Sequence, residues 1–291
     1  MKGKKGKGLA VLSAVASALL TASFFIFAHY LLGSIQPATL LVFWFISAAV
    51  VSTAVVLYLQ GFKGLLLVRK YWRQGAIIGG INAIAAFTVF YSIKLLGPSL
   101  SAFLLSFATP FAILLGFVLL RERLNRFEML GMLIAIAGAI IIDYQGGNYL
   151  VLGSLVTLFA AFVIAVHHYA SKRLLAGISP LTLAHLRIIF TALFALLPLL
   201  FGIGTFEIPG LQQLAIIALG STLSAFISFF LFFYALNHLG VSKTSVIRTL
   251  DPFIVVLYSL IIFRTVPQPL QLAGGFLIVL GVGIMTWFEN R

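Results

Sequence analysis

The stretch Phe90-Tyr91-Ser92-Ile93-Lys94-Leu95-Leu96-Gly97 is echoed 143 positions later by Phe233-Tyr234-Ala235-Leu236-Asn237-His238-Leu239-Gly240. The echo extends well beyond this pair. Pro37-Ala38-Thr39-Leu40 is answered at the same offset by Pro180-Leu181-Thr182-Leu183, and Gly131 and Gly138 by Gly274 and Gly281. Thr109-Pro110-Phe111 is answered by Asp251-Pro252-Phe253 after the loss of one residue. Chance likeness between apolar stretches would match Leu and Val, whereas here Pro, Gly and Tyr keep register across separate segments. The 291-residue chain reads as two copies of one unit.

Composition decides the solvent of that unit. Apolar residues make up 62% of the chain and charged residues 9%, with a mean hydropathy of +1.16, against about 45–50% and about 25% in a soluble domain. So few charges cannot cover the surface of a compact body, which excludes a water-soluble globule. A membrane-spanning helix takes about 20 apolar residues. Ten such segments occur, over residues 9–32, 37–59, 75–96, 100–120, 127–144, 150–171, 181–201, 211–237, 243–263 and 270–288. Runs such as Ala112 to Leu120 lack the alternation of a membrane barrel strand. The expected fold is an all-α polytopic membrane protein of ten transmembrane helices in two inverted five-helix repeats. A basic tail over residues 1–8 precedes repeats over 9–146 and 147–291. Lys2, Lys4, Lys5 and Lys7 ahead of Ala14-Val15-Ala16 have features of a signal peptide. The apolar run continues to Leu32, however, and the repeat needs this helix as a counterpart.

The formal charge of +13 comes from 19 Lys and Arg against six acids. In a soluble chain it would point to nucleic acid, but these bases cluster at the ends of apolar runs without interleaved aromatics. They read as topology signals. With the N-terminus inside, fifteen of the nineteen bases fall on the inner side, among them Lys63, Arg69, Lys70, Arg73, Lys172 and Arg173, while Lys94 and Arg264 stand at outer ends. Both termini are expected in the cytoplasm. The absence of cysteine removes disulfides, thiolate metal sites and thiol catalysis. Because five is odd, the second copy enters the membrane from the opposite side. Such inverted pairs bind substrate near the midplane, where the halves meet.

Pro110 in the fourth helix, Glu122 at its end, the Gly131 to Gly138 helix, and the second set at Pro252, Gly274 and Gly281 resemble the drug/metabolite transporter superfamily in its EamA-type branch. The resemblance covers nearly the whole chain. It implies a transporter of amino acids, amines, nucleobases or similar metabolites, without a cofactor. Two departures stand out. Glu122 has Arg264 as its counterpart, and the basic residue expected in both the second and seventh helices is present as Arg187 but replaced by Trp44. This asymmetry implies that the two ends of the pathway are gated differently.

An ionisable group within a membrane helix is expensive and usually faces a cavity or a partner. Arg248 and Asp251 share one helix face in the ninth segment. They form either an internal salt bridge or a substrate clamp, the guanidinium taking a carboxylate or phosphate and Asp251 an amine or proton. Arg248-x-x-Asp251-Pro252 also resembles a stretch of plastid phosphate-translocator relatives, which keeps an anionic substrate open. Arg187, midway along the seventh helix, either orients the cavity field or binds carbonyls. His29 near the outer end of the first helix is a candidate proton carrier, and His167 and His168 near an inner end are read as interfacial or proton-carrying. Trp44, Tyr91 and Tyr234 are candidate pocket aromatics, or packing residues. Pro110 and Pro252, expected in mid-helix, are candidate hinges or static kinks. Gly75-Ala76-Ile77-Ile78-Gly79 permits close helix approach.

No HExxH, GxSxG or GxxxxGK[ST] pattern is present. The expected protein is not an enzyme and holds no metal. It is a secondary active transporter of the cytoplasmic membrane working by alternating access, monomeric, with a small-molecule substrate and a coupling proton as candidate partners. The substrate expected first is an amino acid or related metabolite, and an organic or phosphorylated anion second. A membrane-embedded enzyme and a channel are the alternatives of a different class.

Overall fold

The structure, a computed structural model, describes residues 2–120, 125–143, 147–240, 244 and 247–288. Among these there is no strand. The helices are α1 (Lys2–Leu32), α2 (Pro37–Gln60), α3 (Phe62–Lys70), α4 (Trp72–Leu105), α5 (Ala108–Leu120), α6 (Arg126–Asp143) and α7 (Gly147–Leu174) in the first part of the chain. There follow α8 (Pro180–Phe194), α9 (Leu197–Leu200), α10 (Leu211–Gly220), a π-helical segment Ser221–Ile227, α11 (Ser228–Leu239), α12 (Asp251–Phe263) and α13 (Pro269–Phe288). Among the described residues seven helices are long and apolar enough to cross a membrane, where the sequence leads us to expect ten. The expected fourth, fifth and ninth spans correspond to α5, α6 and α12, which are shorter or carry charge at their ends. Glu122 lies outside the described residues, and Arg264 ends α12 in a left-handed conformation.

The repeat is conformational as well as sequential. Gly97 interrupts α4 at φ 77°, ψ 175°, and Gly240 ends α11 at φ 80°, ψ 176°. That region is open almost only to glycine, so both copies break at the same residue in the same way. Pro37 and Pro180 each open a helix at its first position, where a missing N–H costs nothing. The residues before them share extended geometry, Gln36 at φ −71°, ψ 147° and Ser179 at φ −64°, ψ 151°.

The expected mid-helix placement of Pro110 and Pro252 needs correction. A turn at Ser106 and Phe107 ends α4, so Pro110 lies in the first turn of α5, and Pro252 in the first turn of α12. The first turn has no intrahelical N–H bond for proline to remove, so the two residues start helices and do not kink them. The short helix α3 is also new relative to the sequence reading. Its Phe62, Leu66, Arg69 and Lys70 are exposed.

Packing follows the small residues. A Cβ on Gly131 would stand 2.5 Å from the Gly281 carbonyl oxygen, and one on Gly138 2.5 Å from that of Gly274. The reverse clashes hold for Gly274 and Gly281. In the repeat, however, Gly131 corresponds to Gly274 and Gly138 to Gly281. Each glycine therefore meets the counterpart of the other, antiparallel, and a two-fold relation between α6 and α13 generates this reciprocity. Other contacts come in matching pairs: α4 with α7 and α11 with α1, then α5 with α7 and α12 with α1. Gly79 brings α4 onto α8 so closely that a Cβ would stand 2.8 Å from the Phe190 carbonyl carbon and the Thr191 nitrogen.

Candidate functional site

A cavity of about 640 Å³ lies between α1, α2, α4, α5, α7, α8, α12 and the π segment with α11. It reaches the end of the bundle where α7 finishes and α6 begins, since Tyr169, Lys172 and Glu128 belong to its wall. A second concavity, beside Tyr30, Ser34 and Gln213, has no charged residue in its lining.

The deepest polar group of the main cavity is Arg187, 1% exposed. Its Nη1 donates to Asn82 Oδ1 at 2.9 Å, and Nη2 donates to the Ala225 carbonyl. That carbonyl belongs to the π segment, whose wider winding re-aims backbone groups relative to an α-helix. Asn82 is itself fixed, its Nδ2 donating to Thr191 Oγ1 at 3.0 Å, and the Thr191 hydroxyl donates to the Arg187 carbonyl at 2.6 Å. The guanidinium carbon lies 3.7 Å from the centroid of Phe229, an arrangement that favours a cation over the ring face. Arg187 Nε has no partner, and among the described residues no carboxylate pairs with this guanidinium. A charge buried in this way has hydrogen bonds but, among the described residues, no counter-charge.

Arg248 and Asp251 do form an ion pair, Nη2 to Oδ2 at 2.8 Å, on the wall of the same cavity. The guanidinium of Arg248 stands 5.1 Å from the centroid of Phe232, and Asp251 Oδ1 is buried without a partner. Phe229 and Phe232, one helical turn apart on α11, thus carry one guanidinium each, with ring centroids 6.1 Å apart. At the mouth the Glu128 carboxylate is already engaged, accepting from the Asn125 backbone N–H at 2.7 Å where α6 starts.

Of the residues singled out in the sequence, Trp44, His167, His168, Arg187, Arg248 and Asp251 line this cavity. Trp44 is also packed, edge-on to Phe24 and Phe90 at 5.6 and 5.8 Å, with its ring tip where a Cβ on Gly220 would stand 2.6 Å away. His29, Tyr91 and Tyr234 are not part of the lining. His29 packs edge-on against Phe263 at 5.1 Å, Tyr91 is 40% exposed, and Tyr234 lies over His238 at 4.2 Å. The reason is rotation: Phe90 and Phe233 occupy the inward positions, fully buried, and one residue further on a helix turns about 100° away.

His167 and His168, read from the sequence as interfacial or proton-carrying near a helix end, line the cavity, His168 5.0 Å from Phe232, because α7 continues to Leu174 and leaves them more than a turn inside its end. Sequence reasoning missed two other groups. Asn82 carried a legible signal as the one amide in the apolar stretch of α4 after Gly75. The Ala225 carbonyl carried none, since backbone winding decides where it points.

Three comparisons bear on this site. The model of the EamA-like transporter family matches residues 8–143 and, a second time, 151–287. A probable terminal-alkyne amino-acid exporter of Streptantibioticus cattleyicolor is 34% identical over 185 residues, which span 62% of this chain and 62% of that relative. A protein crystal structure superposes with a TM-score of 0.67 over 97% of this chain and 99% of its own, at 22% identity, and so shares the fold.

Proposed function

The chain belongs to the EamA-like transporter family, and on that premise we propose that it moves a small carboxylate-bearing metabolite, in first place an amino acid, across the cytoplasmic membrane by alternating access. It is a multi-pass membrane protein, and the family and the exporter relative make it a transporter rather than an enzyme. In this reading ten helices form two inverted five-helix repeats and both termini are cytoplasmic. Support comes from the matched breaks at Gly97 and Gly240 and from the reciprocal glycine contacts of α6 and α13. The cavity reaches the end that carries Lys172, Arg173 and Arg126, which is the cytoplasmic end when basic residues stay inside. The conformation is then inward-facing.

The observation that carries the substrate reading is Arg187: fixed by Asn82 and Ala225, stacked on Phe229, on the cavity wall, and without a described acid. A carboxylate from the substrate completes it, and Asp251 Oδ1 accepts from an amine. A phosphorylated or other organic anion is the second reading, favoured by the excess of guanidinium over carboxylate. The test is counterflow of labelled metabolites into proteoliposomes. Carboxylic amino acids are expected to exchange, and amines lacking the carboxylate are not. Equal counterflow of an amino acid and its decarboxylated amine would refute the Arg187 assignment.

A further inference from the structure

Building on the transporter reading above, we infer that the site selects a substrate of net charge −1, recognised as a dicarboxylic amino acid, and that an inside-negative membrane potential drives it outward. The argument is one of charge balance in a closed cavity. Arg248 is matched by Asp251, and Glu128 and Lys172 on the wall contribute one charge of each sign. Among the described wall residues that leaves one guanidinium, Arg187, 1% exposed and with no described carboxylate beside it. His167 and His168 on the same wall enter this balance as neutral imidazoles.

Alternating access requires the cavity to close over its cargo, removing water from every group in it. An uncompensated charge so enclosed is strongly unfavourable, because its lost hydration is not replaced by a partner. A zwitterion leaves the enclosed site at +1 and a cation leaves it at +2, whereas a monoanion brings it to zero. A dicarboxylic amino acid meets the polar groups one for one. One carboxylate takes Arg187, whose Nε is unpartnered, the ammonium donates to the unpartnered Asp251 Oδ1, and the second carboxylate takes the remaining donors of Arg248.

Moving one negative charge outward down an inside-negative potential releases about 2.3 kcal/mol per 100 mV, a tenfold equilibrium ratio for about each 60 mV. The experiment uses the full chain in proteoliposomes with potassium and valinomycin setting the potential. L-glutamate is expected to redistribute outward about tenfold at 60 mV inside-negative, and L-glutamine is expected to compete poorly for its counterflow. Arg187→Gln neutralises the uncompensated charge, so preference moves from L-glutamate toward L-glutamine by tenfold or more while the protein elutes as a folded species. Should that variant fail to fold, the wild-type comparison decides alone. Equal competition by glutamate and glutamine, or a glutamate distribution indifferent to potential, overturns the inference. Amide counterflow without charge preference sinks only this charge selection. Absence of counterflow with acid, amide and amine alike removes the transporter reading beneath it.

Discussion

Arg187 and the Arg248–Asp251 pair carry the chemistry, and their partners differ in kind. Arg187 is held by neutral groups, so a change there is felt when substrate binds. Removing one partner of a buried charge pair costs about 2–5 kcal/mol. Arg187→Gln is accordingly expected to weaken binding of a carboxylic amino acid by about thirtyfold or more in a thermal-shift or flux titration. Arg248→Ala orphans Asp251 and is expected to abolish transport. The double change Arg248→Ala with Asp251→Ala removes the orphaned charge and separates pairing from clamping. If it folds as wild type yet transports nothing, the pair works on substrate; wild-type flux in the double variant makes the pair structural. His29→Phe, Tyr91→Phe and Tyr234→Phe are expected to keep wild-type rates in the same assay, since none of the three lines the cavity.

At the scale of elements, glycines do two different jobs. Gly97 and Gly240 meet nothing within 4 Å, so space is not what demands glycine there. The demand is backbone conformation at φ 77° and 80°. Gly97→Ala is therefore expected to destabilise by about 1–3 kcal/mol in thermal denaturation, while Gly177→Ala, equally unobstructed and without a positive φ, stays close to wild type. Gly131, Gly138, Gly274 and Gly281 are needed for the opposite reason, because the facing backbone leaves no room. Gly138→Leu forces α6 and α13 apart, and overpacking of about 1–3 kcal/mol or more should appear as a lowered Tm. The repeat made these glycines visible in the sequence. Their separate tasks were not visible, because a one-dimensional pattern does not say what stands opposite.

For the molecule as a whole, the proposed alternating access takes the reciprocal contacts at α6 and α13 and the cavity as one state of a two-fold device. Since the chain has no cysteine, Ala112→Cys on the cavity wall gives a single label site. An impermeant maleimide is expected to react faster from the cytoplasmic face than from outside, and saturating substrate should slow it. Equal reaction from both faces would argue against an inward-facing state and against alternating access through this cavity.

The sequence by itself determined the solvent, the helical class and the doubling, together with the helix starts at Pro37 and Pro180 and the breaks at Gly97 and Gly240. Those features are local: apolar run length, the missing N–H of Pro37 and Pro180, and the backbone freedom of Gly97 and Gly240 act wherever the residue sits. Tertiary structure alone decided which polar groups meet. Each residue turns a helix face by about 100°, so a small shift of a segment boundary moves a side chain from cavity to lipid. That rotation sent Tyr91 and Tyr234 outward, the length of α7 to Leu174 placed His167 and His168 inside the bundle, and the turn at Ser106 and Phe107 moved Pro110 from mid-helix to a helix start. The π winding of residues 221–227 aimed the Ala225 carbonyl at Arg187. That Arg187 has no described carboxylate beside it is a property of that assembly, since the pairing of a charge is decided by what packs around it.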